Sequence, residues 1–138
     1  MTSLVLLPPH EVIDRWPQLR ALLAGAVEEG HGELEVDDIL RLATGGRMFV
    51  FVLRGEADIA AVTVEFVDYP RHRAMVVGFG GGRGAAPHAD HIAQVLRGFA
   101  RRAGAQRLIT YVKNPAMARF HERFFGATRA YTVMELDA

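Results

Sequence analysis

Residues 108–127 read LITYVKNPAMARFHERFFGA, and this stretch decides the fold. A β-branched run leads into Val112, Lys113 and Asn114. Pro115 follows, which suits a first helical turn because no amide bond is lost there. Met117, Phe120 and Phe124 then recur on one side at helical spacing, and Gly126 stops the helix. The local order is strand, Asn, helix, Gly.

Working outward, Ile92, Val95, Leu96, Phe99, Ala100 and Ala103 mark a long amphipathic helix closed by Gly104. It leads into a strand over 107–112, so this region forms a β-α-β unit. Three strands precede it, over 48–53, 59–67 and 74–79, the first almost wholly apolar as a strand buried on both faces should be. Their connections, Arg54-Gly55-Glu56 and the turn from Asp68 to Arg71, are short, which implies an antiparallel meander. At the other end, residues 3–7 form a first strand stopped by Pro8-Pro9. Pro17 disfavours helix at Trp16, so a turn and then a helix over 17–29 is expected. Asp37 and Asp38 suit the positive start of a second helix, which Gly45-Gly46 ends. Residues 128–136 read as a last strand.

The expected order is therefore β-α-α-β-β-β-α-β-α-β. It predicts one α/β (α+β) domain over 1–138: a mixed, largely antiparallel six-stranded sheet with helices on both faces. Sixteen basic and sixteen acidic residues cancel, so no global field draws the chain to nucleic acid or an anionic membrane. The absence of cysteine removes disulfides, thiolate catalysis and cysteine–metal sites. His88 and His91, three apart, lack a third ligand at a motif spacing, and no metal is expected. Asp90 reads as a helix cap. The short apolar run at the N-terminus lacks the features of a signal peptide, and a cytoplasmic location is the expectation.

Order and motif together resemble the GNAT N-acetyltransferases. Asn114 falls where that family often meets the pantetheine arm of acyl-CoA, and the helix ending at Gly126 matches its last helix. A narrower likeness, to GNAT-like proteins of tailed phages and prophages, rests on VEFVDYPRHRAMVVGFGGG over 64–82. The resemblance implies acetyl-CoA as cofactor and a small-molecule or peptide amine as acceptor. It also implies that Val77, Gly78 or Phe79 presents a backbone amide to the thioester carbonyl, with Gly78 helping the strand bulge. The family's phosphate-loop spacing is absent from GFGGGRGAAPHADHI. Gly81, Gly82 and Gly84 would still let the backbone approach a pyrophosphate, and Arg83 adds positive charge.

For proton transfer, the family's usual tyrosine acid aligns with His121, or with Phe120 if the one extra residue before Gly126 lies on the other side, and Tyr111 is a second candidate. Glu65 is the candidate base if its face of the third strand is a cleft. A second reading stays open: a GNAT-shaped protein without catalysis, acting as a structural or interaction module, in a virion if phage-encoded. The degenerate loop and the missing tyrosine motivate it. The chain ends without a seventh strand, so the last strand is expected to be an exposed edge or to pair with another copy.

Overall fold

The computed structural model describes residues 1–138. The elements are β1 (Ser3–Leu7), α1 (Pro9–Asp14), α2 (Trp16–Glu28), α3 (Val36–Thr44), β2 (Phe49–Arg54), β3 (Asp58–Asp68), β4 (Arg73–Gly82), a 3-10 turn (Ala86–His88), α4 (Ala89–Arg102), β5 (Arg107–Ile109) and α5 (Pro115–Phe125). One sheet carries the strands in the order β1-β2-β3-β4-β5. The first four pair antiparallel, and β5 lies parallel to β4.

The period of two along β2 sorts the core. Val50 and Val52 join Leu7, Val12, Leu19, Leu23 and Ile39 beneath α1–α3. Phe51 and Leu53 face the other way, with Val64, Met75, Leu96 and Ala100 under α4. Burial on both faces explains why the strand tolerates almost no polar residue. Beneath α4, Phe49, Phe51 and Phe66 pack around Phe99 with centroids 5.5, 5.2 and 5.8 Å away. Such pairs add roughly 0.5–1.5 kcal/mol each beyond their buried area.

Local chemistry fixes the ends of the elements. The Glu35 amide donates to the Asp38 carboxylate at 2.8 Å, closing the start of α3. Arg20 and the Trp16 indole both donate to Asp37, which holds its carboxyl below the usual range and ties α2 to α3. Asp58, only 11% exposed, accepts from Arg15 and Arg54 at 2.9 Å each, clamping the β2–β3 turn to the start of α2.

The sheet has five strands, not the six expected. Residues 128–138 lie outside it and make no backbone hydrogen bond within the chain. β5 also stops at Ile109 rather than at 112, so only three of its residues are paired. The turn expected before Pro17 is the short helix α1, with Pro9 as its first residue. Asp90 does not cap α4. The 3-10 turn shifts the start, His88 takes the cap position without a side-chain bond, and Asp90 sits inside the first turn. No helix is long and apolar enough to cross a membrane.

Candidate active site

β4 is the strand on which the site is built. Val62 faces Gly80 across the β3–β4 ladder, but Val64 faces Val77, so Thr63 alone stands opposite both Gly78 and Phe79. This is a β-bulge of one extra residue, which bends the strand and increases its twist. The fully buried Thr63 hydroxyl accepts from the Phe79 amide at 2.9 Å and holds the bulge in place. A Cβ on Gly78 would come within 2.9 Å of that same hydroxyl oxygen, so glycine is needed there. Thr63→Val, which keeps the shape but removes the acceptor, is expected to cost about 1–3 kcal/mol. Thr63→Ser should lose less, because the acceptor survives. Urea unfolding of the two variants measures the difference.

The bend has a consequence on the other edge of β4. Ala74, Met75 and Val76 pair with Arg107, Leu108 and Ile109, and there the ladder ends. β4 continues to Gly82 with no neighbour on that side, while residues 110–114 run on unpaired. Burial records the parting. Ala74–Val76 are buried, whereas Gly78 and Gly80 are exposed although they lie within the sheet. Segments 77–82 and 110–114 therefore share no ladder, and the opening between them begins after Val76 and Ile109.

On the α1–α3 side, the loop after α2 spans this opening. Gly30 lies so close to Phe79 that an added Cβ would sit 3.3 Å from its ring, and Lys113 on the opposite wall is near enough to stabilise the Glu33 carboxylate. Glu33 also accepts from the His31 amide at 2.9 Å, and backbone hydrogen bonds are the main reason it ionises more readily than usual. Glu65 faces this same side. Its β4 neighbour is Val76, the last residue before the parting, and it is exposed rather than enclosed in a cleft. On the α4 side, α4 and α5 leave a groove of about 520 Å³ whose lining includes Arg97, Arg101, Phe124 and Phe125.

The expected site residues divide. Val77, Gly78 and Phe79 line the opening, but the Phe79 amide is already taken by Thr63, leaving those of Val77 and Gly78 as candidate donors. Gly81 and Gly82 are strand residues opposite Ala61 and Ala60, not part of a loop. The expected phosphate loop is thereby shortened to begin at Arg83. Gly81 lacks a side chain because α2 is there: a Cβ would overlap the Leu22 carbonyl oxygen. Gly84 has φ +77, as a turn out of the strand requires. Asn114 spends its side-chain oxygen on the Ala116 amide at 2.8 Å, capping α5, and borders the opening by its backbone.

Tyr111 stands just beyond the end of β5 and is 60% exposed. The Tyr131 hydroxyl beside it is the main reason its phenol holds its proton above the usual tyrosine range, and burial and Tyr69 act in the same direction. All three tyrosines of the chain thus meet, from a turn, a loop and the tail. His121 is half-buried in α5 with the rings of Phe120 and Phe125 5.8 and 5.5 Å away. Burial lowers its pKa below 6.5, so it is mostly neutral at pH 7 and poorly suited to giving up a proton. Protonation then favours the unfolded chain, which takes up the proton first as pH falls below 6.5. Stability should drop over that range and level off below the folded pKa. Urea midpoints at about pH 7.5 and 5.5 should differ less in His121→Gln than in the wild type.

His91 accepts from the Leu4 amide at 3.0 Å and so ties α4 to β1. No three His, Asp or Glu side chains converge to hold a metal ion. Glu33, Tyr69 and Tyr131 are not among the expected site residues; Gly30, whose missing Cβ lets its loop approach Phe79, is a local signal beside Glu33.

No family model and no curated protein matches the sequence. Solved structures are similar in shape. A ribosomal-protein-alanine N-acetyltransferase from Brucella melitensis matches over 100% of each chain, with a TM-score of 0.72 and 16% identity. An aminoglycoside acetyltransferase from an uncultured soil metagenomic sample, in complex with sisomicin, matches over 99% of this chain and 96% of that one, with a TM-score of 0.73 and 10% identity. A predicted acetyltransferase with acetyl-CoA from Clostridium acetobutylicum gives a TM-score of 0.70 and 12% identity over 99% and 96%. At such identities the likeness concerns the fold alone: the five-stranded mixed sheet with its helices matches the GNAT fold.

Proposed function

We propose that the protein is an acyl-CoA-dependent N-acetyltransferase acting on a small, cationic amine. The observation that carries this reading is the parting of β4 and β5 at a bulge, beside glycines with no side chain to fill the gap. A thin acyl-pantetheine arm needs such an opening, and the unpaired edges of β4 and of residues 110–114 offer it backbone hydrogen bonds. Val77, Gly78, Asn114 and the chain before Asn114 would line the arm. Arg83, Gly84 and the uncapped first turn of α4 suit a pyrophosphate. Arg97, Arg101 and the Phe124 ring, in the groove between α4 and α5, suit the nucleotide end.

Acetyl-CoA supplies an activated acyl carbonyl. The chain's residues do the rest. The Val77 or Gly78 amide polarises the carbonyl oxygen. Glu65, open to solvent on the α1–α3 side, accepts the amine proton through water. Glu33, kept ionised, draws a cationic amine to the same side. Tyr111, which holds its proton, gives it to the leaving thiolate, a better assignment than His121. The test is thiol release from acetyl-CoA in the presence of a panel of polyamines, aminoglycosides and peptides. Release that depends on the amine is expected, with Tyr111→Phe and Glu65→Gln each slower by roughly 10²-fold or more.

One observation favours a non-catalytic interaction module instead: Gly81 and Gly82, expected to cradle phosphates, serve strand pairing and the packing of α2. No binding of acetyl-CoA and no thiol release for any amine would select that reading.

A further inference from the structure

Lysine is nearly absent from this chain. Of its sixteen basic residues fifteen are arginines, and Lys113 is the one lysine. The distinction is chemical. A guanidinium stays protonated and does not attack a carbonyl, whereas an ammonium becomes a nucleophile once it gives up a proton. Lys113 Nζ and the α-amine of Met1 are therefore the only amines of the chain that can take an acyl group.

The two stand at opposite edges of the sheet. Met1 precedes β1, and β2 and β3 separate that strand from β4. Lys113 lies in the unpaired segment 110–114, the wall of the opening across from β4, and is exposed there. The far end of its side chain is drawn to one group. Lys113 is near enough to the Glu33 carboxylate to stabilise it. Glu33 in turn stands beside β4, since a Cβ added to Gly30 would meet both the Glu33 carboxylate, at 3.2 Å, and the Phe79 ring, at 3.3 Å. Phe79 is the bulge residue next to Gly78. An amine held toward Glu33 is thus held toward the part of β4 assigned above to the acyl carbonyl, in the seat assigned to the external amine.

We propose that Lys113 is an acceptor for the protein's own acyl transfer and becomes acetylated at Nζ by bound acetyl-CoA. This rests on the acyl-CoA reading. The ammonium gives a proton to solvent, and the neutral Nζ attacks the thioester carbonyl carbon. An N–C bond forms and the C–S bond breaks. The second Nζ proton passes to water, and the departing thiolate takes a proton from Tyr111, which solvent replaces. The product is a neutral amide. It removes the positive charge beside Glu33 and leaves that carboxylate to an external cationic amine.

Mass spectrometry of the full chain incubated with acetyl-CoA and no amine tests it. One acetyl group per chain should appear, with one equivalent of thiol released, and further release should need an added amine. Trypsin cuts after an unmodified lysine, so the labelled chain should yield residues 108–119, LITYVKNPAMAR, uncut and carrying the acetyl group. The rate constant should not change with protein concentration, as transfer within one chain requires. Lys113→Arg, with unchanged circular dichroism, should take up no acetyl group, and the wild type unfolded in urea should be labelled far more slowly than the folded protein. An unlabelled Lys113 in a protein that acetylates a polyamine would overturn this inference and leave the acyl-CoA reading standing. Label at Met1 instead, a rate that rises with protein concentration, or equal labelling in urea would overturn it as well. No thiol release with or without a polyamine, and no binding of acetyl-CoA, would overturn the acyl-CoA reading and this inference with it.

Discussion

Gly81→Ala is expected to cost about 3 kcal/mol or more. The added Cβ meets the Leu22 carbonyl oxygen, with the Leu22 carbonyl carbon and Leu23 Cα close behind. These are backbone atoms of α2, so no side chain can swing aside. Relief requires the whole helix to lift from the sheet, taking Leu19 and Leu23, both fully buried, with it. For a domain of this size such a loss lowers Tm by roughly 10 °C. Gly80→Ala, one residue away, is the control. Its Cβ would meet nothing nearer than Val62 Cγ2 at 3.8 Å, and the change should stay within about 0.5 kcal/mol. Thermal melts of the pair measure the contrast. Equal melting of the two variants would mean that α2 does not rest on β4 as described.

Much of the architecture could be read from the chain because its signals are local. The β-branched runs of β2 and β3, the glycines closing α4 and α5, and the Asn114-Pro115 start of α5 all act within a few residues. Gly78 was readable for the same reason: a glycine inside an apolar strand marks a bend or bulge. What was not readable depends on distant groups. Gly81 and Gly82 look like a phosphate loop by composition, and only the approach of α2 and β3 shows that they are strand. Residues 128–136 have every local property of a strand, yet a strand needs a partner edge, and β5 pairs over only three residues. Glu65 alternates correctly, but whether its face is covered depends on where α1–α3 end. Tyr69, Tyr111 and Tyr131 are far apart in sequence, and nothing in their spacing announces that they meet.

Acetyl-CoA should raise the stability of the folded protein substantially, because a ligand that binds only the native state adds roughly 2.7 kcal/mol at about 100 times its Kd. That corresponds to a rise in Tm of roughly 10 °C for a chain of this length. The gain depends on an open wedge. Gly78→Val places a branched side chain on the bulge, against the Thr63 hydroxyl, and so forces the strand beside the opening to shift. Its Tm should be lower without ligand and should not move when ligand is added. The central claim is that the gap between residues 77–82 and 110–114 receives an acyl-CoA, and a melting curve with and without saturating acetyl-CoA asks this most directly. A rise near 10 °C that Gly78→Val abolishes is the predicted result. An unchanged Tm in the wild type at millimolar acetyl-CoA would contradict the account.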